Sequence, residues 1–247
     1  MKKLMWAGAV ALVMVGGSAA LAADLSMREA PVPMAGAAPI ISWTGLYAGA
    51  VGSYGWGNTT AAFSAPSFLT TWGAVNIPLD GGLLGATLGY NFDLNNNFVL
   101  GIEGDISAGR IGGNAFLPRN TGTPFNPNDT LGAFHQSYFG TLRARLGLST
   151  TSMGNPTLWY LTGGLAFSDG HREISNTSVG DSLASANHTG WTFGAGIEHK
   201  ITNHWSVKGE VLYADLGTQH YQSSTSTVVT DVHLTDTLLR VGVNYGF

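Results

Sequence analysis

The stretch Leu239-Arg240-Val241-Gly242-Val243-Asn244-Tyr245-Gly246-Phe247 decides the fold. Leu239, Val241, Val243, Tyr245 and Phe247 are apolar or aromatic, and the residues between them are polar or small. A strand with one face in hydrocarbon and the other in a wet interior needs this period-2 alternation. The pattern predicts a transmembrane strand. An aromatic residue closing such a strand resembles the signal by which outer-membrane barrels are recognised for assembly, which makes Leu239, Val241, Val243, Tyr245 and Phe247 the expected contact with a barrel-assembly machinery.

The other end of the chain agrees. Lys2 and Lys3 precede an apolar run, Leu4 to Val15, and Ala20-Leu21-Ala22 fits the small-x-small rule for cleavage. Residues 1–22 are therefore expected to be a signal peptide. Residues 23–42, rich in Ala and Pro, are expected to be a flexible periplasmic leader, and residues 43–247 a barrel. Without Lys2 and Lys3 there are 9 basic and 15 acidic residues, a net charge of −6. That balance argues against nucleic acid as a partner. The chain has no cysteine, which excludes disulfides, thiolate metal sites and cysteine nucleophiles. Charged residues are 11% and glycines number 35 of 247. A wall facing lipid disfavours charge, and a narrow interior needs small residues beside bulky ones.

Between Thr44 and Phe247 eight alternating segments emerge, with outward faces read from parity. They are Thr44–Gly57, Leu83–Leu94, Phe98–Arg110, Gln136–Ser149, Thr157–Phe167, Thr189–Lys200, His204–Leu216 and the C-terminal strand. Parity is ambiguous in the fifth. Short links (Asn95–Asn97, Thr150–Pro156, Ile201–Asn203) alternate with long ones, roughly 58–82, 111–135, 168–188 and 217–237. This predicts an all-β fold, a transmembrane eight-stranded antiparallel up-and-down β-barrel with short periplasmic turns and long surface loops. Outward aromatics fall in two rows. Phe92, Phe98, Trp205, Tyr245 and Phe247 lie near the periplasmic ends, and Tyr54, Trp56, Tyr138, Trp191 and Tyr213 near the outer ends. Two interfacial girdles require that arrangement.

Several motifs together resemble one family. They are Trp43-Thr44-Gly45-Leu46-Tyr47-Ala48-Gly49, Leu142-Arg143-Ala144-Arg145-Leu146-Gly147, Gly190 to Glu198, Trp205 to Gly217, and Arg240 to Phe247. The family is the small porin-family outer-membrane proteins of alphaproteobacteria, often described as outer-membrane immunogenic proteins, with an OmpA/OmpX-like barrel. The resemblance implies a surface-exposed envelope protein in outer-membrane lipid and lipopolysaccharide. Members are sometimes called porins and sometimes haem binders.

Parity places eight charges on the lumen face: Glu103, Asp105, Glu198, Glu210, Arg143, Arg145, Lys208 and Arg240. Four acids against four bases on neighbouring strands predict ion pairs that plug a barrel whose interior is just filled by side chains. Removing Arg143 alone is then expected to cost more than removing it together with Glu103.

Enzyme-like fragments carry less. Gly180-Asp181-Ser182-Leu183 matches an esterase nucleophile motif, with Asp231-Val232-His233 as its acid and base. A polar stretch, not a buried strand, precedes it, and the Asp–His spacing is one residue short. His204-Trp205-Ser206 is similar to the His-x-Ser pair of lipid A deacylases but starts a strand at the periplasmic end. His135, His171, His188, His220 and His233 lie in or beside the expected loops, without ligand spacing. No motif implies a metal or a cofactor. The reading favours a structural envelope protein with little or no open pore and no enzymatic activity. Loop-mediated binding of haem or a host surface ligand, and a small general porin, stand as alternatives.

Overall fold

The structure is a computed structural model and describes residues 42–64, 75–94, 96–116, 131–152, 154–175, 182–222 and 229–247. The expected signal peptide and all of the expected leader except Ser42 lie outside these residues.

Every regular element among the described residues is a strand: β1 (Gly45–Ser64), β2 (Val75–Asp93), β3 (Phe98–Phe116), β4 (Leu131–Ser152), β5 (Asn155–Ser175), β6 (Ser182–Lys200), β7 (Trp205–Gln222) and β8 (Val229–Gly246). Each pairs antiparallel with the next, and β8 returns to β1 from Tyr47↔Gly246 to Ser64↔Val229. The sheet therefore closes at the level of the short-turn half, while β6 and β7 are paired only from Trp191↔Asp215 to Lys200↔Ser206 and their outer stretches share no ladder.

The three short turns gather at one end with both termini of the barrel. Asn96 and Asn97 take φ of 73° and 67°, a region Asn tolerates better than most side chains. Leu94 N donates to Phe98 O at 2.7 Å and closes that hairpin. The second turn is tighter than expected, with Ser152 opposite Asn155 and Gly154 at φ 80°. In the third, Ile201 N donates to Trp205 O at 2.9 Å.

The outward faces follow the parity read from sequence. Leu100, Ile102 and Val207 point away from the axis, as do Leu46, Leu84, Leu88, Leu142, Leu146, Phe193 and Val211. On β5, Trp159, Leu161, Leu165 and Phe167 face out, while Leu158, Tyr160 and Ala166 are buried inside. That strand is apolar on both faces, so alternation in hydropathy alone gives no parity there.

The expected long loops are a correction. Strands run through much of 58–82, 111–135, 168–188 and 217–237, and are 18 to 22 residues long. Crossing a bilayer takes only about 9–11 residues, so the wall continues well beyond the lipid band on the side away from the short turns. The physical sense of the alternation inverts there. Outward positions turn polar (Asn58, Asn76, Asp80, Asn187, Thr218), and inward ones turn apolar (Ile77, Leu79, Ile111, Phe134, Leu216, Val232, Leu234). Within lipid, apolar side chains gain nothing by turning inward. Above it, water surrounds the wall, and the hydrophobic effect sends them to the axis. A search for greasy outward stripes ends where the lipid ends, although the strand does not.

Candidate functional site

The barrel interior has two layers. All eight charged residues read as inward-facing lie in the lower one. Each is at most 6% exposed: Glu103, Asp105, Arg143, Arg145, Glu198, Lys208, Glu210 and Arg240. Alternation on β3, β4, β6, β7 and β8 aims them at the axis.

Arg143 is the hub. Its Nη2 lies 2.6 Å from Glu103, 3.1 Å from Asp105 and 3.2 Å from Glu210, and its Nε donates to Thr141 Oγ1 at 2.9 Å. Arg145 reaches Glu198 at 2.6 Å and Glu103 at 3.3 Å. Its guanidinium also sits 4.2 Å from the centre of the Tyr160 ring. Lys208 Nζ is 2.8 Å from Glu103. Arg240 meets Glu210 at 3.1 Å, and its Nη2 lies 2.9 Å from Asp105 Oδ1 without hydrogen-bond alignment. Hydroxyls add further donors to the acids. Tyr47 donates to Glu103 at 2.7 Å, Tyr160 to Glu210 at 3.0 Å and Ser206 to Glu198 at 2.6 Å. Every acid touches at least one cation, as burial of charge requires.

The pairing between neighbouring strands is only partly as expected. Glu103 and Arg143 are ladder partners, and so are Glu210 and Arg240. Glu198 and Lys208 are also opposite in the ladder, yet Lys208 crosses the lumen to Glu103 and Glu198 takes Arg145. In so narrow a barrel the long side chains converge on the axis, and the nearest opposite charge lies on a facing strand. Ladder register alone does not reveal such cross-lumen pairs.

The upper layer was not anticipated. Leu212 and Leu238 sit one inward step above Glu210 and Arg240, and from there the lumen is filled by the apolar cluster. Buried polar groups interrupt it, among them Gln136, Ser168, Asp169, Arg172, His188 and Asp236. Gln136 donates to Asp236 at 2.8 Å, and His188 Nε2 lies 2.8 Å from the Tyr221 hydroxyl.

The histidines expected in loops lie on strands. His171 is 2.9 Å from Asp169 and stacks on His135 at 5.0 Å, His233 is 3.3 Å from Asp215, and His220 pairs with Asp231. Among the described residues, no group of three or more His, Cys, Asp or Glu is placed to hold a metal. Of the esterase-like motif, Gly180 and Asp181 lie outside the described residues. Ser206 bonds to Glu198 inside the lumen, whereas the His204 ring stacks on Tyr245 at 5.5 Å, so the His-x-Ser pair does not form.

The outward aromatics occupy opposite ends of the wall. At the short-turn end Trp205 and Tyr245 make an edge contact at 5.0 Å, and Tyr245 and Phe247 another at 5.3 Å. Phe92 and Phe98 are exposed at the same end. At the other, Tyr54 lies 6.3 Å from Trp56 and Trp191 lies 5.7 Å from Tyr213, with Tyr138 half-buried nearby.

A closed antiparallel ring with a band of outward apolar residues and a charged interior defines an outer-membrane β-barrel protein. Comparison with known proteins agrees. Residues 9–247 match the outer membrane protein beta-barrel domain, and the chain belongs to that family. It is 32% identical over 240 residues to a 31 kDa outer-membrane immunogenic protein of Brucella melitensis biotype 1, covering 93% of this chain and 94% of that one. It is 27% identical to a 22 kDa outer membrane protein of Rhizobium leguminosarum bv. viciae, covering 88% and 83%. The outer membrane protein OprG from Pseudomonas aeruginosa shares the fold with a TM-score of 0.50 at 12% identity, covering 83% of this chain and 96% of that one. The protein is therefore an integral protein of the bacterial outer membrane.

Proposed function

We propose that the protein is a closed structural element of the outer membrane, filling and stiffening the envelope and projecting the outer half of its wall beyond the lipid. One observation carries this reading: from the charged layer outward the lumen is filled, by a neutral network of four acids and four bases and by a mainly apolar layer above it. A buried network with matched charges resists hydration, and the leucines, isoleucines and aromatics that dominate the layer above it leave no continuous polar path for water.

The outward aromatic rows act as interfacial girdles in contact with lipid and lipopolysaccharide. The strand ending in Leu239, Val241, Val243, Tyr245 and Phe247 serves recognition by the assembly machinery. Surface display of the projecting wall is supported by relatives described as immunogenic. A liposome-swelling assay with small sugars tests the closed lumen. Swelling no faster than in protein-free liposomes is expected, and rapid size-dependent swelling refutes the reading.

A further inference from the structure

The charged plug leaves one part of the lumen to be closed by something else, its end beside the short turns. There the chain enters the barrel through Ser42, Trp43 and Thr44, which precede β1 and take no part in its ladder. Gly45 follows at φ 143°, a conformation that side-chain-bearing residues rarely adopt. The chain turns at this glycine, and Trp43 is carried into the mouth, where it is only 6% exposed.

Bonds to three strands hold it. Trp43 N and the Ser42 hydroxyl donate to Asp93 on β2 at 2.7 and 2.6 Å, and Thr44 Oγ1 accepts from Asp93 N at 2.7 Å. The indole Nε1 donates to Ser149 Oγ on β4 at 2.9 Å. Lys200 on β6 donates to Ser42 O at 2.7 Å and lies 5.0 Å from the centre of the indole ring. The indole packs with buried Val99, Leu158 and Tyr160. Beside the strap lies a polar cavity of about 120 Å³, whose walls run from Asn203 and His204 at the turn to Tyr47, Asn91, Glu198 and Ser206 within.

We propose that Ser42–Thr44 is a hinged strap and Trp43 a stopper, sealing the periplasmic mouth as a barrier separate from the ion plug. The inference deepens the closed-lumen reading and rests on it. Side-chain bonds and one cation–π contact hold the strap, whereas the barrel is held by its ladders. The strap therefore opens without unfolding the barrel. The leader expected at residues 23–42 joins it directly, so tension or binding on that segment acts on the stopper.

The absence of cysteine in the chain allows a clean test. Asn91 lines the cavity, is 3% exposed, and its Oδ1 has no hydrogen-bond partner among the described residues, so Asn91→Cys places a thiol there at little cost. The refolded full chain is treated in micelles with a charged methanethiosulfonate reagent, and the urea-unfolded chain gives the unprotected rate. Labelling is expected to be strongly protected, and at least tenfold faster after Trp43→Ala in protein that still shows the folded band on an unboiled gel. Equal rates with and without Trp43 overturn the proposal. Should Trp43→Ala fail to fold, Ser149→Ala with Lys200→Met loosens the strap and leaves the indole. Faster labelling then supports the stopper, and an unchanged rate overturns it. Sugar flux through the whole barrel is read separately, so a leaky plug and a missing stopper give different results.

Discussion

Arg143 and Glu103 face each other in the β3–β4 ladder and meet at 2.6 Å, both buried at the axis of the barrel. The contact belongs to a larger unit. Arg143 also holds Asp105 and Glu210, and Glu103 also holds Arg145 and Lys208.

This sharing sets the first prediction. Arg143→Ala takes one cation from three acids, each of which keeps another (Arg145 and Lys208 for Glu103, Arg240 for Asp105 and Glu210), so its cost should fall at the low end of the about 3–5 kcal/mol for breaking a buried pair. Glu103→Gln takes from Lys208 its one ion pair among the described residues. The double variant is therefore not fully rescued, but costs less than the two single losses summed, by about 1 kcal/mol or more. Urea unfolding in lipid vesicles measures the cycle. Additive losses contradict a coupled network.

A second prediction concerns the level where the alternation changes meaning. Leu142 faces outward within the apolar band, opposite Gly104, and Asn187 faces outward above it. Leu142→Lys should destabilise the barrel by about 2–4 kcal/mol, the cost of a cation deep in lipid. Asn187→Lys should stay within about 0.5 kcal/mol. Comparable losses in the same assay would place both positions in the same environment and contradict the inversion.

The upper core gives a third. Leu234 is fully buried among Ile77, Leu79 and Val232 at a level where water surrounds the wall. Leu234→Ala should cost about 2–5 kcal/mol, as for a core leucine of a soluble protein. The unfolding midpoint reports it, and a change below about 0.5 kcal/mol would show that this layer is not packed.

Much of this was legible in the sequence for identifiable reasons. Lipid imposes the strictest alternation, so the transmembrane halves of seven strands and their inward charges could be read by parity. Asn95–Asn97 announced its turn because Asn suits the left-handed backbone that Asn96 and Asn97 adopt. Three features were hidden. On β5, Leu158 and Tyr160 face inward and mask the period. Above the lipid, Ile77, Leu79 and Leu234 keep the same parity but carry apolar side chains inward, so the strands look like loops to a search for outward grease. The reach of Lys208 to Glu103 follows from barrel width and side-chain length, not from spacing along the chain.

A fourth prediction separates turn chemistry from packing. Asn97 at φ 67° should tolerate Gly well, whereas Asn97→Ala should cost about 1 kcal/mol, because alanine lacks the local bonding that eases this backbone. Equal stability of the two variants would show that the turn relaxes.

Single-channel recording of the full chain in a planar bilayer tests the central claim most directly. A lumen filled by Glu103, Asp105, Arg143, Arg145, Glu198, Lys208, Glu210 and Arg240 under an apolar core should give a silent bilayer, with no steady openings across a wide voltage range. Stable openings of large conductance from the folded, unmodified protein would contradict it.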